Sequence, residues 1–236
     1  MGAPCRILVK LSGEMLKGDD APYSPLALER VAKDLAAISM SRSETEVAVV
    51  VGGGNILRGA KSPWLPRVRA DHMGMLATVL NALALQAYLE ALEQTVLVQS
   101  AVGVDGIPRI DPRAAQFALA SGQIVVFAGG TGNPFVSTDT AAAIRAASIQ
   151  ATLLAKASNV AGVYAADPNN SSSPGEPLKE LTYDAFIAAR YRVMDVVAVE
   201  LCREAGIPIV IFDGRRESSL QSLGRDEAWS LGTLIH

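Results

Sequence analysis

The sequence predicts an α/β protein, a three-layer sandwich with a mainly parallel central sheet and helices on both faces. Short apolar runs of β type alternate with helical patterns, the order that right-handed crossovers turn into a parallel sheet. Several of those runs empty into glycine-rich or lysine-bearing turns, as strands do where open sheets collect ligands. Half of the 236 residues are hydrophobic and only 19% are charged, which leaves ample apolar surface to bury on both faces of a sheet. No internal repeat or linker interrupts the pattern, so residues 1–236 read as a single domain.

The first strand is Arg6 to Leu11, with Lys10 near its end and the turn Ser12-Gly13-Glu14 after it. A lysine at the carboxyl end of a strand is a candidate phosphate contact; a lysine snorkelling from a strand edge is the equal alternative. Ser24 to Ile38 reads as a packing helix, with Ser24 as N-cap, Pro25 at the first position, and Leu26, Leu28, Val31, Leu35 and Ile38 at roughly helical spacing. Glu46 to Val51 is the second strand and runs into Gly52-Gly53-Gly54-Asn55. Consecutive glycines let a backbone approach a phosphate closely, and Arg58 just beyond them favours anion binding over a plain tight turn. Two familiar patterns fail here: the dinucleotide fingerprint needs glycine where Leu57 stands, and Walker A needs lysine where Ala60 stands.

Trp64 to Arg69 reads as a loop with basic residues, and Asp71 as the N-cap of a long apolar helix reaching about Glu90. The uncharged run from His72 to Leu89 is long enough for a bilayer, but His72, Thr78, Asn81 and Gln86 would be costly there, so a helix buried in protein is expected. Thr95 to Gln99 is a strand, Pro112 to Ala120 a helix and Ile124 to Ala128 a strand. The stretch that follows, Gly129 to Asp139, gathers glycines, Asn133, Pro134, Ser137, Thr138 and Asp139 at a helix start. Backbone N–H groups, hydroxyls and a carboxylate at a helix N-terminus exceed what capping needs and read as a ligand site. Thr152 to Ala155 is a buried strand, followed by Lys156-Ala157-Ser158. Tyr164 with Asp167-Pro168 offers a flat ring and a carboxylate that suit a nucleoside, or else a surface turn. Thr182 caps a short helix, Met194-Asp195-Val196 starts another that reaches Ala205, and Ile207 to Phe212 is a further strand.

A formal net charge of -3 gives no basic field for nucleic acid. Cys5 and Cys202, both expected to be buried and inert, suit a reducing cytoplasm in a chain read as lacking a signal peptide. No His/Cys cluster has ligand spacing, so no metal site on the protein is expected. The apolar excess points to an oligomer, and no membrane span is expected.

The turn Lys10-Leu11-Ser12-Gly13, the run Gly52-Gly53-Gly54-Asn55 with Arg58, the segment Asp71-His72-Met73-Gly74-Met75-Leu76 and the stretch Gly130-Thr131-Gly132-Asn133-Pro134-Phe135 stand in order along the chain. From Arg6 onward the sequence resembles the bacterial uridylate kinases, a branch of the amino-acid kinase superfamily. The resemblance implies ATP-dependent phosphorylation of UMP to UDP by direct in-line transfer, with Mg²⁺ arriving on the ATP. By position it assigns Lys10, Ser12, Gly13, Gly54 and Arg58 to the ATP phosphates, and Ser158, Tyr164 and Asp167 to the adenosine. It assigns UMP to Gly53, Asp71 and the loop Thr131, Gly132, Asn133, Pro134, Phe135, Val136, Ser137 and Thr138. Lys10 and Arg58 become the catalytic cations, with Asp139 and Asp195 as orienting carboxylates or, alternatively, helix caps.

The resemblance further implies a homohexamer, inhibition by UTP and an effect of GTP. The sequence departs from the family between Gly18 and Tyr23, which leads to the expectation of weak or absent GTP activation. Ala161 replaces a usual aspartate, and Ser158 a common threonine. The alternatives are another kinase of the superfamily, acting on a small acid, and a nucleotide-binding regulator without turnover.

Overall fold

The computed structural model describes residues 5–41, 45–58, 62–165 and 175–236. In chain order the elements are β1 (Arg6–Leu11), α1 (Pro25–Ser41), β2 (Glu46–Val51), α2 (Arg67–Glu90), β3 (Val96–Ser100), α3 (Pro112–Ala120) and β4 (Ile124–Ala128). They continue with α4 (Thr138–Ser148), β5 (Leu153–Ser158), β6 (Glu180–Leu181), α5 (Tyr183–Ala189), α6 (Val196–Ala205), β7 (Ile209–Asp213) and β8 (Thr233–Ile235). One sheet holds all the strands in the order β3-β4-β2-β1-β5-β7-β8-β6, and only the β7–β8 pair is antiparallel.

Strand alternation divides the core into two layers. Ile7, Val9 and Leu11 of β1 face one cluster with Leu28, Val31 and Leu35 of α1, whereas Leu8 faces the other with Ala142, Ala143 and Ala146 of α4. The small alanines of α4 let that helix sit close to β1 and β5. Strands buried on both faces read as near-continuous apolar runs, which is why Val47 to Val51 and Ile124 to Phe127 were legible. β1 lies between β2 on one side and β5 on the other, so the chain reverses its direction of growth across the sheet at the β1–β5 boundary. Ligands of open α/β sheets bind outside the strand ends at such a switch point.

Most predicted elements are present, with corrections that have physical causes. α2 begins at Arg67, not Asp71, and Pro66 precedes it without a side-chain cap; Pro at a helix entrance sacrifices no hydrogen bond, so the loop read over Trp64 to Arg69 is partly helix. Leu26 is 77% exposed, because the buried stripe of α1 begins only at Leu28. β5 continues through Lys156 to Ser158, since the lysine is paired and not solvated. Cys5 is exposed, whereas Cys202 is buried and burial pushes its thiol up to about 12. The two-residue β6 carries too little pattern to be read from sequence.

α2 is long and apolar enough to cross a bilayer, yet it packs on β2, β3, β4 and α1. Its outer face is not covered by the described residues: Met73, Leu76, Leu80 and Leu83 are 45%, 50%, 53% and 41% exposed.

β8 ties the end of the chain to the turn after β5. Thr233 Oγ1 accepts from the buried Val163 N–H at 2.8 Å and donates to the Leu178 carbonyl. Thr233→Val keeps the volume and leaves both groups unpaired, so it should destabilise the protein by about 1–3 kcal/mol, read from urea denaturation. An unchanged midpoint would show that the turn does not depend on this bond.

Candidate active site

The parallel register sets Lys10 of β1 opposite Lys156 of β5. Neighbouring strands run about 4.8 Å apart, and matched residues point to the same face, so two ammonium groups emerge side by side under the start of α4. Asp139, in the first turn of α4, answers them. Lys10 Nζ lies 2.8 Å from Asp139 Oδ1, and Lys156 Nζ donates to Oδ2 and to the Val193 carbonyl. All three residues are at most 9% exposed.

Burial alone would raise the Asp139 carboxyl; the charges and hydrogen bonds of Lys10 and Lys156 outweigh it and hold the group well below the usual carboxylate range. Burial, helped by the nearby Lys10 charge, pulls Lys156 below the ordinary lysine range against the opposing pull of Asp139. With all three ionised, the triad holds two cations and one anion, and the Asp195 carboxylate behind it also acts on Lys156.

Asp139 does not cap α4. Ser137 does, its Oγ accepting from the Thr140 N–H at 3.2 Å. Asp195 does cap its helix, accepting from the Val197 N–H at 3.1 Å, and its second oxygen accepts from Ser137 Oγ at 2.8 Å and Thr140 Oγ1 at 3.1 Å. The Asp195 N–H points at Asp139 Oδ2 from 3.4 Å, so α6 braces the first turn of α4.

Glycine loops make the next wall. A β-carbon on Gly13 would stand 2.4 Å from Asn55 Oδ1 and 2.6 Å from the Gly52 carbonyl, so the turns after β1 and β2 pack backbone on backbone. Arg58, beyond Gly54, donates from Nη2 to Glu14 Oε1 at 3.0 Å, with both side chains partly exposed at the mouth.

The loop after β4 forms the far end. Gly129, Gly130 and Gly132 have φ of 77°, 58° and 81°, the left-handed region that turns the chain back over the sheet edge. Phe135 shares that region at φ 66°, an unusual conformation for an aromatic residue. Its N–H donates to Asp71 Oδ2 at 2.8 Å, and the Arg67 guanidinium carbon lies 5.2 Å from its ring centre. Arg67 Nε also donates to both Asp71 oxygens, at 2.9 and 2.8 Å. Asp71 therefore sits a turn inside α2 and restrains this loop.

These walls enclose one cleft of ≈ 970 Å³, at the upper end of the range for ligand pockets. Of the residues read from sequence, Lys10, Ser12, Gly13, Gly53, Gly54 and Arg58 line its middle, Asp71, Thr131, Asn133, Val136 and Thr138 one end, and Ser158 and Tyr164 the other. Gly132, Pro134, Phe135 and Ser137 belong to the loop but not to the lining, and Asp139 and Asp195 stand behind the lysines. Asp167 lies outside the described residues.

Sequence reasoning missed Lys156, whose signal was a charge inside an otherwise apolar strand. It also missed Arg190, Tyr191 and Arg192, the turn between α5 and α6 that lines the cleft across from Tyr164. Nothing in their local pattern marks them. Gly162, near Tyr164, has no room for a β-carbon, which would stand 2.4 Å from Thr233 Oγ1.

Residues 6–213 match the amino acid kinase family. The chain belongs to that family. Among solved amino acid kinases, it is similar to UMP kinase from Ureaplasma parvum, with 30% identity and a TM-score of 0.88 over 98% of this chain and 97% of the other. It is likewise similar to UMP kinase from Bacillus anthracis, with 30% identity and a TM-score of 0.91 over 99% and 96% of the two chains. A uridylate kinase from Archaeoglobus fulgidus shares the fold at 23% identity, with a TM-score of 0.73 over 100% of each chain. The amino acid kinase assignment accounts for the architecture, a mostly parallel sheet with helices on both faces.

Asp139→Asn removes the carboxylate that bridges two buried lysines, and breaking a buried pair in this way costs about 3–5 kcal/mol. Because the folded carboxyl is depressed, its contribution is present above the unfolded pKa of about 3.9 and is lost as pH falls toward the folded value. The wild type should therefore lose stability steeply below about pH 4, and Asp139→Asn should lack that part of the acid limb. Urea midpoints measured across pH check both; parallel acid limbs would overturn the assignment.

Proposed function

We propose that this amino acid kinase transfers the γ-phosphoryl group of ATP to UMP, giving ADP and UDP. One observation carries the chemistry. The Lys10–Asp139–Lys156 cluster sits at the sheet switch point, beside glycine turns that line the same cleft. The acceptor is supported by the near full-length likeness to solved UMP kinases.

A phosphate oxygen of UMP is already anionic, so transfer needs no strong base. That oxygen attacks the γ-phosphorus as the bond to the β–γ bridging oxygen breaks, and ADP leaves. Alignment and charge neutralisation are then the work of the protein. Lys10 and Lys156, fixed by Asp139, supply positive charge at the transferring group. Backbone N–H groups of the Gly13 and Gly52 to Gly54 turns approach the phosphates with no β-carbon in the way, and Ser12 and Arg58 complete the donor side. Arg58 has to leave Glu14 to engage a phosphate fully, which makes it responsive to ATP.

Asp139 is occupied by two lysines, and Asp195 by Ser137, Thr140 and its own helix start. Among the described residues no group of three or more His, Cys, Asp or Glu side chains could hold a metal. These residues fit a cation carried on the phosphate oxygens of ATP, where Mg²⁺ would neutralise charge between the β and γ positions. Ser158, Tyr164 and the turn at Tyr191 suit the adenosine, and the loop from Thr131 to Thr138 with Asp71 suits UMP. The fixed backbone of the Gly130 to Asn133 turn, together with the Asn133 amide, is placed to read uracil, whose carbonyl and N–H pattern differs from that of cytosine.

A coupled ADP-release assay over nucleoside monophosphates and small acids tests the reading. UMP should exceed CMP by at least about 100-fold in kcat/KM. Asp71→Ala should raise KM for UMP far more than for ATP, because it frees the loop at Phe135. Lys10→Ala, with kcat lowered roughly 100- to 1,000-fold, excludes a contaminating kinase. Equal use of CMP, or activity only on a small acid, would overturn the acceptor assignment. UTP and GTP added to the same assay read the effector responses, and the altered Gly18 to Tyr23 segment favours a weak response to GTP.

The reading includes a homo-oligomer, a hexamer built from dimers, in the cytoplasm. The exposed residues Met73, Leu76, Leu80 and Leu83 of α2 stand at spacings that alternate three and four, the seam by which helices pair. A second copy of α2 across a two-fold axis matches such a self-complementary stripe. Sedimentation velocity at micromolar concentration should give an assembly, and a monomer would overturn this part.

A further inference from the structure

Asn81 is fully buried on the inner face of α2, with its amide aimed at the turn after β2. Its Nδ2 donates to the Gly52 carbonyl at 2.6 Å and to Asn55 Oδ1 at 2.7 Å. Asn55 returns the bond from Nδ2 to Asn81 Oδ1 at 3.0 Å and also donates to the Pro22 carbonyl at 2.8 Å. Asn55 Oδ1 is also the atom against which the Gly13 backbone packs, at the place where a β-carbon would stand 2.4 Å away. The paired amides thus touch the turn after β1, the turn after β2, the Pro22 segment and α2 at once.

We infer that Asn55 and Asn81 form an amide clasp whose role is to fix the spacing and orientation of the two glycine turns, so that Asn81 is a positioning residue for phosphoryl transfer. The Gly13 and Gly52 to Gly54 turns have no side chains with which to hold one another, and glycine-rich backbone left alone samples many conformations. A buried amide pair that satisfies its own donors and acceptors reciprocally imposes one geometry, because every alternative leaves a polar group unpaired in the core. Transfer rates are steeply sensitive to this. A misplacement of about 1 Å lowers a rate by roughly 100-fold. The clasp also gives α2 a direct line to the phosphates: one helix carries the exposed apolar seam outward and Asn81 inward, so a neighbour seated on the seam would bear on the Gly52 carbonyl through rigid helix.

This inference rests on the phosphoryl-transfer reading, and the failures of the two are distinguishable. An inactive wild type with every acceptor sinks the reading, whereas an active wild type with unaffected clasp variants sinks the clasp. Asn55→Ala, Asn81→Ala and the double variant would be assayed with ATP and the best acceptor, at a temperature where circular dichroism shows each to be folded. Each single variant should lower kcat by roughly 10- to 100-fold while KM for the acceptor stays near the wild-type value. The double variant should be no slower than the worse single, since two halves of one clasp are lost together. Losses that multiply, or a lowered melting temperature with kcat within about twofold of wild type, would overturn it. If Asn81→Ala fails to fold, Asn55→Asp keeps the volume and the acceptor oxygen but deletes the donor to Asn81 and Pro22, and the same kcat reading decides.

Discussion

The placement of two lysines side by side in a dry sheet is the constraint on which the rest of this structure depends. Lys10 and Lys156 sit at matched register on adjacent parallel strands, at most 9% exposed, where two like charges held side by side repel one another with little screening by water. The fold is tenable only with a carboxylate at the same point, and Asp139 supplies it from the first turn of α4. That requirement shapes what precedes and follows α4. The chain must leave β4, turn back over the sheet edge and start a helix with its second residue between the lysines, which explains the left-handed glycines at 129, 130 and 132. It also explains why Asp195 is spent on Ser137, Thr140 and the entry to α6: those bonds hold the first turn of α4 still.

The parts of the fold and site that were legible in the sequence are those whose cause is local. A strand buried on both faces announces itself as an apolar run, a cap as a hydroxyl or carboxylate before a periodic segment, and a close backbone approach as glycine; hence β2, β4, α3, α6 and the turns after β1 and β2 were readable. Lys156 was missed because its meaning is non-local. Beside Ala155 it looks like the end of a strand, and only the register with Lys10 shows that the strand continues and that the charge is paired. Asp71 was misread as a cap for the same reason: its partners Arg67 and Phe135 include one that is 64 residues away. The turn at Arg190 to Arg192 carries no local signal and reaches the cleft only because α5 and α6 pack as a hairpin. A resemblance to known kinases could assign roles to motif residues, but the resemblance used no position at Asn81, whose function is defined by what it touches.

α2 illustrates how one helix is made to serve several surfaces at once. A helix with a single buried stripe shows clear amphipathicity, and α2 does not, because its inner face packs on the sheet while its outer face is also apolar. Three of its polar residues have partners beyond the helix: Asp71 on Phe135, Thr78 on the Gly129 N–H at 2.7 Å, and Asn81 on Gly52. These three touch, in turn, the middle of the loop after β4, its beginning and the turn after β2. The uncharged composition that resembles a membrane span therefore belongs to a helix that packs on its own sheet with one face and keeps an exposed apolar stripe on the other, with three polar contacts to the loops beside the cleft.

The glycines at the strand exits have a cause in packing besides the phosphate role proposed for them. A β-carbon on Gly53 would stand 2.6 Å from the Gly74 carbonyl and 3.0 Å from Ala77 Cβ, both on α2. The turn after β2 is thus pressed directly against the helix, and that closeness is what brings Asn81 within 2.6 Å of the Gly52 carbonyl. A larger residue at 53 would push α2 outward, stretching the Asn81 bond and loosening Asp71 from Phe135, even if every N–H that faces a phosphate stayed in place. Glycine at these positions is demanded by packing against α2 on one side, and on the other side the same turns line the cleft. The geometry of the strand-exit turns in this protein is therefore a consequence of how tightly a helix can lie on a sheet edge, with the paired lysines, bridged by Asp139, at the floor of the cleft beside them.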